Sequence, residues 1–271
     1  MSILAVAKDQ AGDLLRRRYL IVIMVICVAV VLAWIGYLAL MKTLVTKMAS
    51  QPGQPSDPGQ TQAMMEFMNS GLRAALHGLV AFIGVVLAMV LMASAVTGEI
   101  SRGTIRMILS RPVRRYELYL GKWLGCISIL FLYYLFMEIL VCGYTRYAFG
   151  TLMAIVPVSL AMGFLKAVVM GTTALTLSML LHPLLSAAIA YFGSAEIFLF
   201  FSLFGHGFVR QVIRAPFYVM PSYGAFDTYK AVYHGTNLQA ADIGYRAAYA
   251  ALYIAIMLLI GIGLFRKRDL I

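Results

Sequence analysis

Three ionisable side chains interrupt stretches of the sequence that are otherwise apolar. They are Glu138, Lys166 and Glu196. A charge at the centre of a bilayer costs at least about 2.5–3.5 kcal/mol, so each of them needs a partner or a function. An ion pair between Glu138 and Lys166 would satisfy both, and Lys166 could also extend toward the membrane surface. Glu196 has no evident basic partner: it is either protonated and hydrogen-bonded to a neighbouring helix or exposed to a transport pathway.

Thioether and imidazole side chains form a second group that could do chemistry. Met64, Met65 and Met68 precede His77, and these ligand types suit Cu(I). The chain has 17 methionines, however, and methionine commonly fills irregular apolar gaps, so packing is the preferred interpretation. None of the three cysteines has a partner at a spacing typical of a disulfide framework or a zinc site. We predict no metal site.

The segment from Thr97 to Lys122, TGEISRGTIRMILSRPVRRYELYLGK, contains six of the chain's 22 basic residues. Arg102 and Arg106 are four residues apart and project from one helical face, while isoleucine and leucine form another. Gly103-Thr104 can end one helix and cap the next, and Pro112 can open a third. The pattern predicts a short amphipathic helix, which either receives a push from a partner or lies on anionic headgroups as an anchor.

Six predicted membrane-spanning helices carry these features. The mean hydropathy of +0.87, with 12% charged residues, exceeds the range of soluble globular proteins. Apolar stretches of about 20 residues fit helices that cross a hydrocarbon core about 30 Å thick. The predicted spans are residues 19–41, 74–96, 121–144, 155–181, 184–205 and 247–265, within a single transmembrane domain of residues 1–271. Small residues recur every four positions on two of these spans, which favours close helix packing. These residues are Gly163, Ala167 and Gly171, and Ala247, Ala251 and Ala255.

The distribution of basic residues predicts that both termini face the cytoplasm. Lys and Arg are denser in the segments that this orientation places inside, in agreement with the positive-inside rule. Residues 42–73 would then form an outer linker, residues 97–120 a cytoplasmic segment, and residues 206–246 an outer interfacial loop rich in aromatic side chains. Because the charges lie at the ends of apolar stretches rather than on a polar surface, nucleic-acid binding is not expected.

The segment after the second predicted span resembles the signature of type 2 permeases of ATP-binding-cassette (ABC) transporters. The resemblance rests on Glu99, on Gly103-Thr104, on LSRPV at residues 109–113 followed by Arg115, and on Gly121-Lys122. The six-span plan and the ending FRKRDL at residues 265–270 are similar to the same family, so the likeness covers nearly the whole chain. In the outer loop, Met220-Pro221 and Phe226-Asp227 resemble permeases associated with multicopper-enzyme maturation.

The resemblance implies the membrane-spanning permease subunit of an exporter, driven by a separate cytoplasmic ATPase that binds ATP and Mg²⁺. It further implies a homodimer in the cell (inner) membrane, and a coupling helix between the second and third spans. The residues implied in coupling are Glu99, Arg102, Gly103, Thr104, Ile105, Arg106, Ile108, Leu109, Ser110, Pro112 and Arg115. The His182-Pro183 turn would make a second contact, and the basic segment before Tyr19 would lie along the inner leaflet.

The sequence contains no catalytic motif. A phosphate-binding loop G-x-x-x-x-G-K-[ST] is missing, and Gly121-Lys122 lacks both the preceding glycine and the hydroxyl residue that such a loop needs. The chain is therefore predicted not to be an enzyme and to bind no cofactor itself. Two alternatives stay open: an ion-gradient-driven transporter or channel that uses Glu138 and Glu196, and a non-transporting scaffold that relays ATPase motion to an outer partner.

Overall fold

The computed structural model describes residues 3–16, 18–49, 58–101, 114–149, 155–193, 221–234, 236 and 238–267. In these ranges the secondary structure is helical and contains no strand. The α-helices are α1 (Ile3–Arg16), α2 (Arg18–Ala49), α3 (Pro58–Ser101), α4 (Arg115–Phe149), α5 (Ile155–Ser178), α6 (Pro183–Phe192), α7 (Tyr229–His234) and α8 (Ala240–Lys267). A 3₁₀ helix, Gly224–Phe226, precedes α7.

Four stretches of these helices are long and apolar enough to cross a membrane. They are Asn69–Gly98 in α3, Arg115–Tyr147 in α4, Ile155–Ser178 and Ala240–Lys267. Two shorter apolar stretches are Val28–Met41 in α2 and Pro183–Phe192. The all-α architecture agrees with the prediction from the sequence, whereas six spans and their orientation stay predictions. Helical structure also reaches Ala49 and resumes at Pro58, inside the segment predicted as an outer linker.

Local sequence signals explain where two of the helices begin. Glu117 lies three residues after Arg114, and its carboxylate accepts a hydrogen bond from the Arg114 backbone N–H at 3.3 Å, as in a capping box at the start of α4. At the start of α6, the Leu184 backbone N–H donates to His182 Nδ1 at 3.4 Å. Pro183 occupies the first helical position, where its missing N–H removes no helical bond.

The core of the bundle lies between α3, α4 and α5. Gly171 of α5 faces α3 so closely that an added Cβ would lie 2.6 Å from Met92 Sδ and 3.3 Å from Ala88 Cβ. Ala167, one turn earlier, is fully buried. The small-residue pattern on the fourth predicted span therefore marks a helix contact, as predicted. The corresponding pattern on α8 differs, because Ala251 and Ala255 are exposed in the described chain.

Helices α3 and α4 run antiparallel. Cys126 Sγ of α4 lies 3.9 Å from the Leu91 carbonyl oxygen of α3, and the Tyr133 hydroxyl donates to the Val80 carbonyl at 3.2 Å. Residue numbers therefore rise along α4 as they fall along α3. The last residues of α3 and the first residues of α4, which flank the basic segment, lie at the same end of the bundle.

Candidate functional site

The first turns of α4 meet the last turn of α8 at this end of the bundle. Arg115 Nη1 donates to the Arg266 carbonyl oxygen at 3.1 Å. One turn further, the ring centroids of Tyr119 and Phe265 are 6.1 Å apart, and both side chains are fully buried. The start of α4 and the end of α8 are thus joined by a polar contact at the surface and an aromatic contact beneath it.

Tyr119 also connects α4 to the last turns of α5. Its hydroxyl oxygen lies 3.3 Å from Thr176 Oγ1, which in turn lies 3.0 Å from the Met257 carbonyl oxygen of α8. Gly261 of α8 admits the tyrosine ring, since a Cβ at this position would clash with the Tyr119 hydroxyl. Three helices therefore meet at the buried side chain of Tyr119. We call the contacts of Tyr119 with Thr176, Gly261 and Phe265 the Tyr119 junction.

The turn between α5 and α6 lies at the same end of the bundle, shortly after Thr176 in the sequence. His182 is exposed, and its carbonyl oxygen accepts from Ser186 Oγ at 3.0 Å. Together with the Nδ1 contact to Leu184, this bond holds the turn in a defined conformation. The predicted second coupling turn is therefore exposed and ordered, and it continues from the helix that carries Thr176.

The N-terminal helix packs at the same end. Lys122 of α4 is buried, and its ammonium group donates to Gln10 Oε1 of α1 at 2.9 Å. Arg114, just before α4, is exposed and donates from Nη1 to the Tyr116 hydroxyl at 3.2 Å. This hydrogen bond is the main cause that raises the pKa of Arg114 above its usual value, so its positive charge is secure at neutral pH.

Most of the predicted coupling residues lie outside the described residues. This holds for Arg102, Gly103, Thr104, Ile105, Arg106, Ile108, Leu109, Ser110 and Pro112. Glu99 is in the last turn of α3, although its side chain is not described, and Arg115 opens α4. The structure thus brings together the flanks of the basic segment, the His182-Pro183 turn and the end of α8.

The predicted ion pair between Glu138 and Lys166 is wrong. Lys166 Nζ instead lies 2.6 Å from Asp227 Oδ1, just after the 3₁₀ helix. Asp227 is 61 residues away in sequence, and only the packing of the segment after Pro221 on α5 brings it close. Glu138 is half-buried on α4, and Glu196 lies outside the described residues.

A cavity of about 360 Å³ adjoins this ion pair. Its polar lining includes His77, Lys166, Asp227, Ser159 and Thr228. Its apolar and small lining residues are Gly78, Ala81, Phe82, Val85, Gly163, Met170, Tyr191, Tyr223, Gly224 and Phe226. Sequence reasoning missed this assembly, although a lysine within an apolar span and an aspartate in the following outer loop were its available signals.

His77 is the most deeply buried of the polar residues in the cavity wall. The residue is only 3% exposed, and neither ring nitrogen has a hydrogen-bond partner within the described part of the chain. The side chains of Met64, Met65 and Met68, considered with it as copper ligands, lie outside the described residues. Among the described residues there is no group of three or more His, Cys, Asp or Glu side chains that could hold a metal ion.

These observations define the class of this protein. It is a helical, multi-pass membrane protein with an ordered junction at one end and a polar cavity near the other. The chain matches the model of the ABC-2 family transporter proteins over residues 4–270. It belongs to that family and is the membrane permease component of an ABC transporter, a part distinct from the ATPase. No match was found among curated proteins. The narrower resemblance to permeases of multicopper-enzyme maturation stays a prediction.

Proposed function

We propose that this permease is the membrane-spanning subunit of an exporter, driven by a separate cytoplasmic ATPase that pushes on residues 97–120. The observation that supports this best is the Tyr119 junction. The two ends of the basic segment lie at the junction end of the bundle, and Tyr119 contacts Thr176 of α5 and Phe265 of α8 within two turns of Arg115. A partner that moves this segment would therefore act on several helices at once.

Close packing explains why a push here would be transmitted rather than absorbed. Tyr119 and Phe265 are fully buried, and close-packed protein interiors are stiff. A displacement of the start of α4 therefore moves α5 and α8 with it. The exposed His182-Pro183 turn, which follows the helix that carries Thr176, would give the ATPase a second contact.

The finer parts of the proposal follow from the family. The permease would form a homodimer in the cell (inner) membrane with both termini in the cytoplasm, and ATP and Mg²⁺ would bind to the ATPase. The basic side chains at the junction end, among them Arg114, Arg266 and Lys267, suit a cytoplasmic position. The outward direction of transport rests on the resemblance to exporters.

The test is co-purification with an ABC ATPase encoded beside the permease. An Ile105→Asp substitution places a carboxylate on the apolar face of the predicted coupling helix. It should reduce recovery of the ATPase at least about tenfold, the loss that corresponds to about 1.4 kcal/mol. It should also abolish stimulation of ATP hydrolysis by the permease in proteoliposomes.

The matched control is Gln60→Asp, which adds the same carboxylate near the beginning of α3, at the opposite end of the helix that precedes the segment. This variant should retain the ATPase. Full recovery of an active complex with Ile105→Asp would refute coupling through residues 97–120. Transport abolished by collapse of an ion gradient, without any ATPase partner, would instead establish a secondary transporter.

A further inference from the structure

We propose that the cavity next to Lys166 and Asp227 is a binding site for a small zwitterion, a molecule with adjacent cationic and anionic groups on an apolar body. Two sources share this chemistry: a free apolar amino acid and the headgroup of phosphatidylethanolamine. The cavity is formed within a single chain, by α3, α5, α6 and the outer segment around the 3₁₀ helix. Binding here needs no ATPase, so the inference goes beyond the proposed coupling.

The first argument for a zwitterion is that the cavity wall contains two opposite charges. The side chain of Lys166 is 20% exposed and that of Asp227 is 37% exposed, and the distance of 2.6 Å between Nζ and Oδ1 shows a direct ion pair. A lysine ammonium group has three N–H donors and a carboxylate accepts through two oxygens. One N–H and Oδ1 are used in the pair, which leaves donors on Lys166 and Oδ2 on Asp227 without a described partner. An anionic group can bind beside the ammonium and a cationic group beside the carboxylate without breaking the pair.

The charge balance selects a zwitterion over a simple ion. The pair contributes no net charge to the cavity, and a net charge is unfavourable in a partly desolvated site. A molecule that carries both charges adds none and meets both partners. A simple anion would be repelled by Asp227, and a simple cation would be repelled by Lys166.

His77 lies in the wall of the cavity and has no hydrogen-bond partner among the described residues. A buried side chain with two unpartnered ring nitrogens is unusual, because buried polar atoms are generally hydrogen-bonded. Both ring nitrogens are themselves buried, so the groups that face a ligand in the cavity are Lys166 and Asp227. The hydroxyls of Ser159 and Thr228 are bonded to each other at 2.7 Å, so these two groups are satisfied within the wall.

The remaining wall determines the body of the ligand. Phe82, Val85, Met170 and Phe226 supply an apolar lining, and the volume of about 360 Å³ is in the range of small-molecule sites. The ligand therefore combines a charged head, held by Lys166 and Asp227, with an aliphatic or aromatic body.

The first arm of the test uses L-leucine as the probe. It is titrated by calorimetry into the full-length permease in phosphatidylcholine nanodiscs. Two analogues each lack one charge: isocaproate has no amine, and isopentylamine has no carboxylate. Leucine should bind at least about tenfold more tightly than either, because each analogue loses one set of hydrogen bonds to a charged group.

The second arm tests the lipid. The permease is placed in nanodiscs with equal amounts of phosphatidylethanolamine, phosphatidylcholine and phosphatidylglycerol, and the retained lipid is identified by native mass spectrometry. Phosphatidylethanolamine should be retained preferentially. The quaternary ammonium of phosphatidylcholine has no N–H to donate to Asp227, and phosphatidylglycerol carries a net negative charge.

A matched pair of glycine variants locates the binding. Gly78 lines the cavity, and nothing lies within 4 Å of a Cβ added there, so Gly78→Leu fills space without touching the ion pair. Gly143 of α4 has the same open surroundings but does not line the cavity, so Gly143→Leu is the control. Gly78→Leu should weaken binding at least about tenfold, as expected when a ligand loses its space, while Gly143→Leu leaves it unchanged.

Leucine binding alone would assign the site to free amino acids, and selective lipid retention alone would assign it to the headgroup. Failure of both probes to bind the wild-type permease would overturn the proposal. So would measurable binding of leucine and both analogues with equal affinity, or binding of the ligand by Gly78→Leu as tight as by Gly143→Leu. The analogue series and the lipid comparison both use the wild-type chain, so together they decide the matter even if Gly78→Leu fails to fold.

Discussion

Two glycines determine how closely the N-terminal helix can approach α4. A Cβ added at Gly121 would lie 2.5 Å from Val6 Cβ and 3.0 Å from the Ile3 carbonyl oxygen. At Gly125, an added Cβ would lie 2.8 Å from Gln10 Cβ and 2.9 Å from the Ala7 carbonyl oxygen. Because these neighbours are backbone or Cβ atoms, a rotamer change cannot relieve the clash. The glycine of the Gly121-Lys122 pair thus has a packing role in addition to its place in the family signature.

Gly121→Ala should destabilise the permease by about 1–3 kcal/mol, the usual penalty for an added carbon in a packed contact. The thermal unfolding midpoint of the purified protein measures the effect. Gly143→Ala is the control, since its Cβ would meet nothing within 4 Å and alanine favours a helix over glycine. An equal midpoint for both variants would show that α1 does not pack here as the structure has it.

At the scale of elements, the N-terminal helix α1 packs on the bundle through one of its faces. Leu14 is buried and Val6 nearly so, whereas Leu4 is 75% exposed. Its buried side lies on α4, where the ammonium group of Lys122 donates to Gln10 Oε1. The polar contact is buried, so removing one partner exposes the other to an unfavourable environment. α1 is therefore anchored to the helix that begins beside the predicted coupling segment.

Gln10→Leu should loosen α1 from α4, because the buried hydrogen bond between the Lys122 ammonium group and Gln10 Oε1 is lost at a cost of about 1–3 kcal/mol. The measurement is maleimide labelling of Ala7→Cys, which is 8% exposed, in a background without native cysteines. Labelling at residue 7 should become several-fold faster in the Gln10→Leu variant. Leu4 is already 75% exposed, so Leu4→Cys should be labelled at the same rate with and without the Gln10→Leu substitution. Unchanged labelling at residue 7 would mean that this contact does not hold α1.

At the scale of the whole molecule, the described chain has two distinct ends. The flanks of the basic segment, the end of α8 and the Tyr119 junction form one. The other lies beyond Lys166, where the segment after Pro221 packs on the first half of α5 and on α3. Thr228 bonds to Ser159 there, and the rings of Tyr233 and Phe67 are 5.9 Å apart. The positive-inside rule predicts that the first end faces the cytoplasm.

Single cysteines can test this orientation in a background without native cysteines. Arg114→Cys and Thr236→Cys replace exposed residues that lie at opposite ends of the bundle. A membrane-impermeant maleimide applied to intact cells should label Thr236→Cys and reach Arg114→Cys only after permeabilisation. The reverse pattern would place the basic segment outside, where no cytoplasmic ATPase could bind it.

The class of this protein could be predicted from the sequence, because membrane-spanning helices depend on local hydropathy and on the spacing of charges. The small-residue pattern around Gly171 is likewise local, and it marked a real contact between α3 and α5. The partner of Lys166 could not be predicted, because Asp227 is 61 residues away and many packings of the same helices would leave the two apart. The surroundings of His77 and the Tyr119 junction likewise depend on which helix faces meet, and long-range packing decides that.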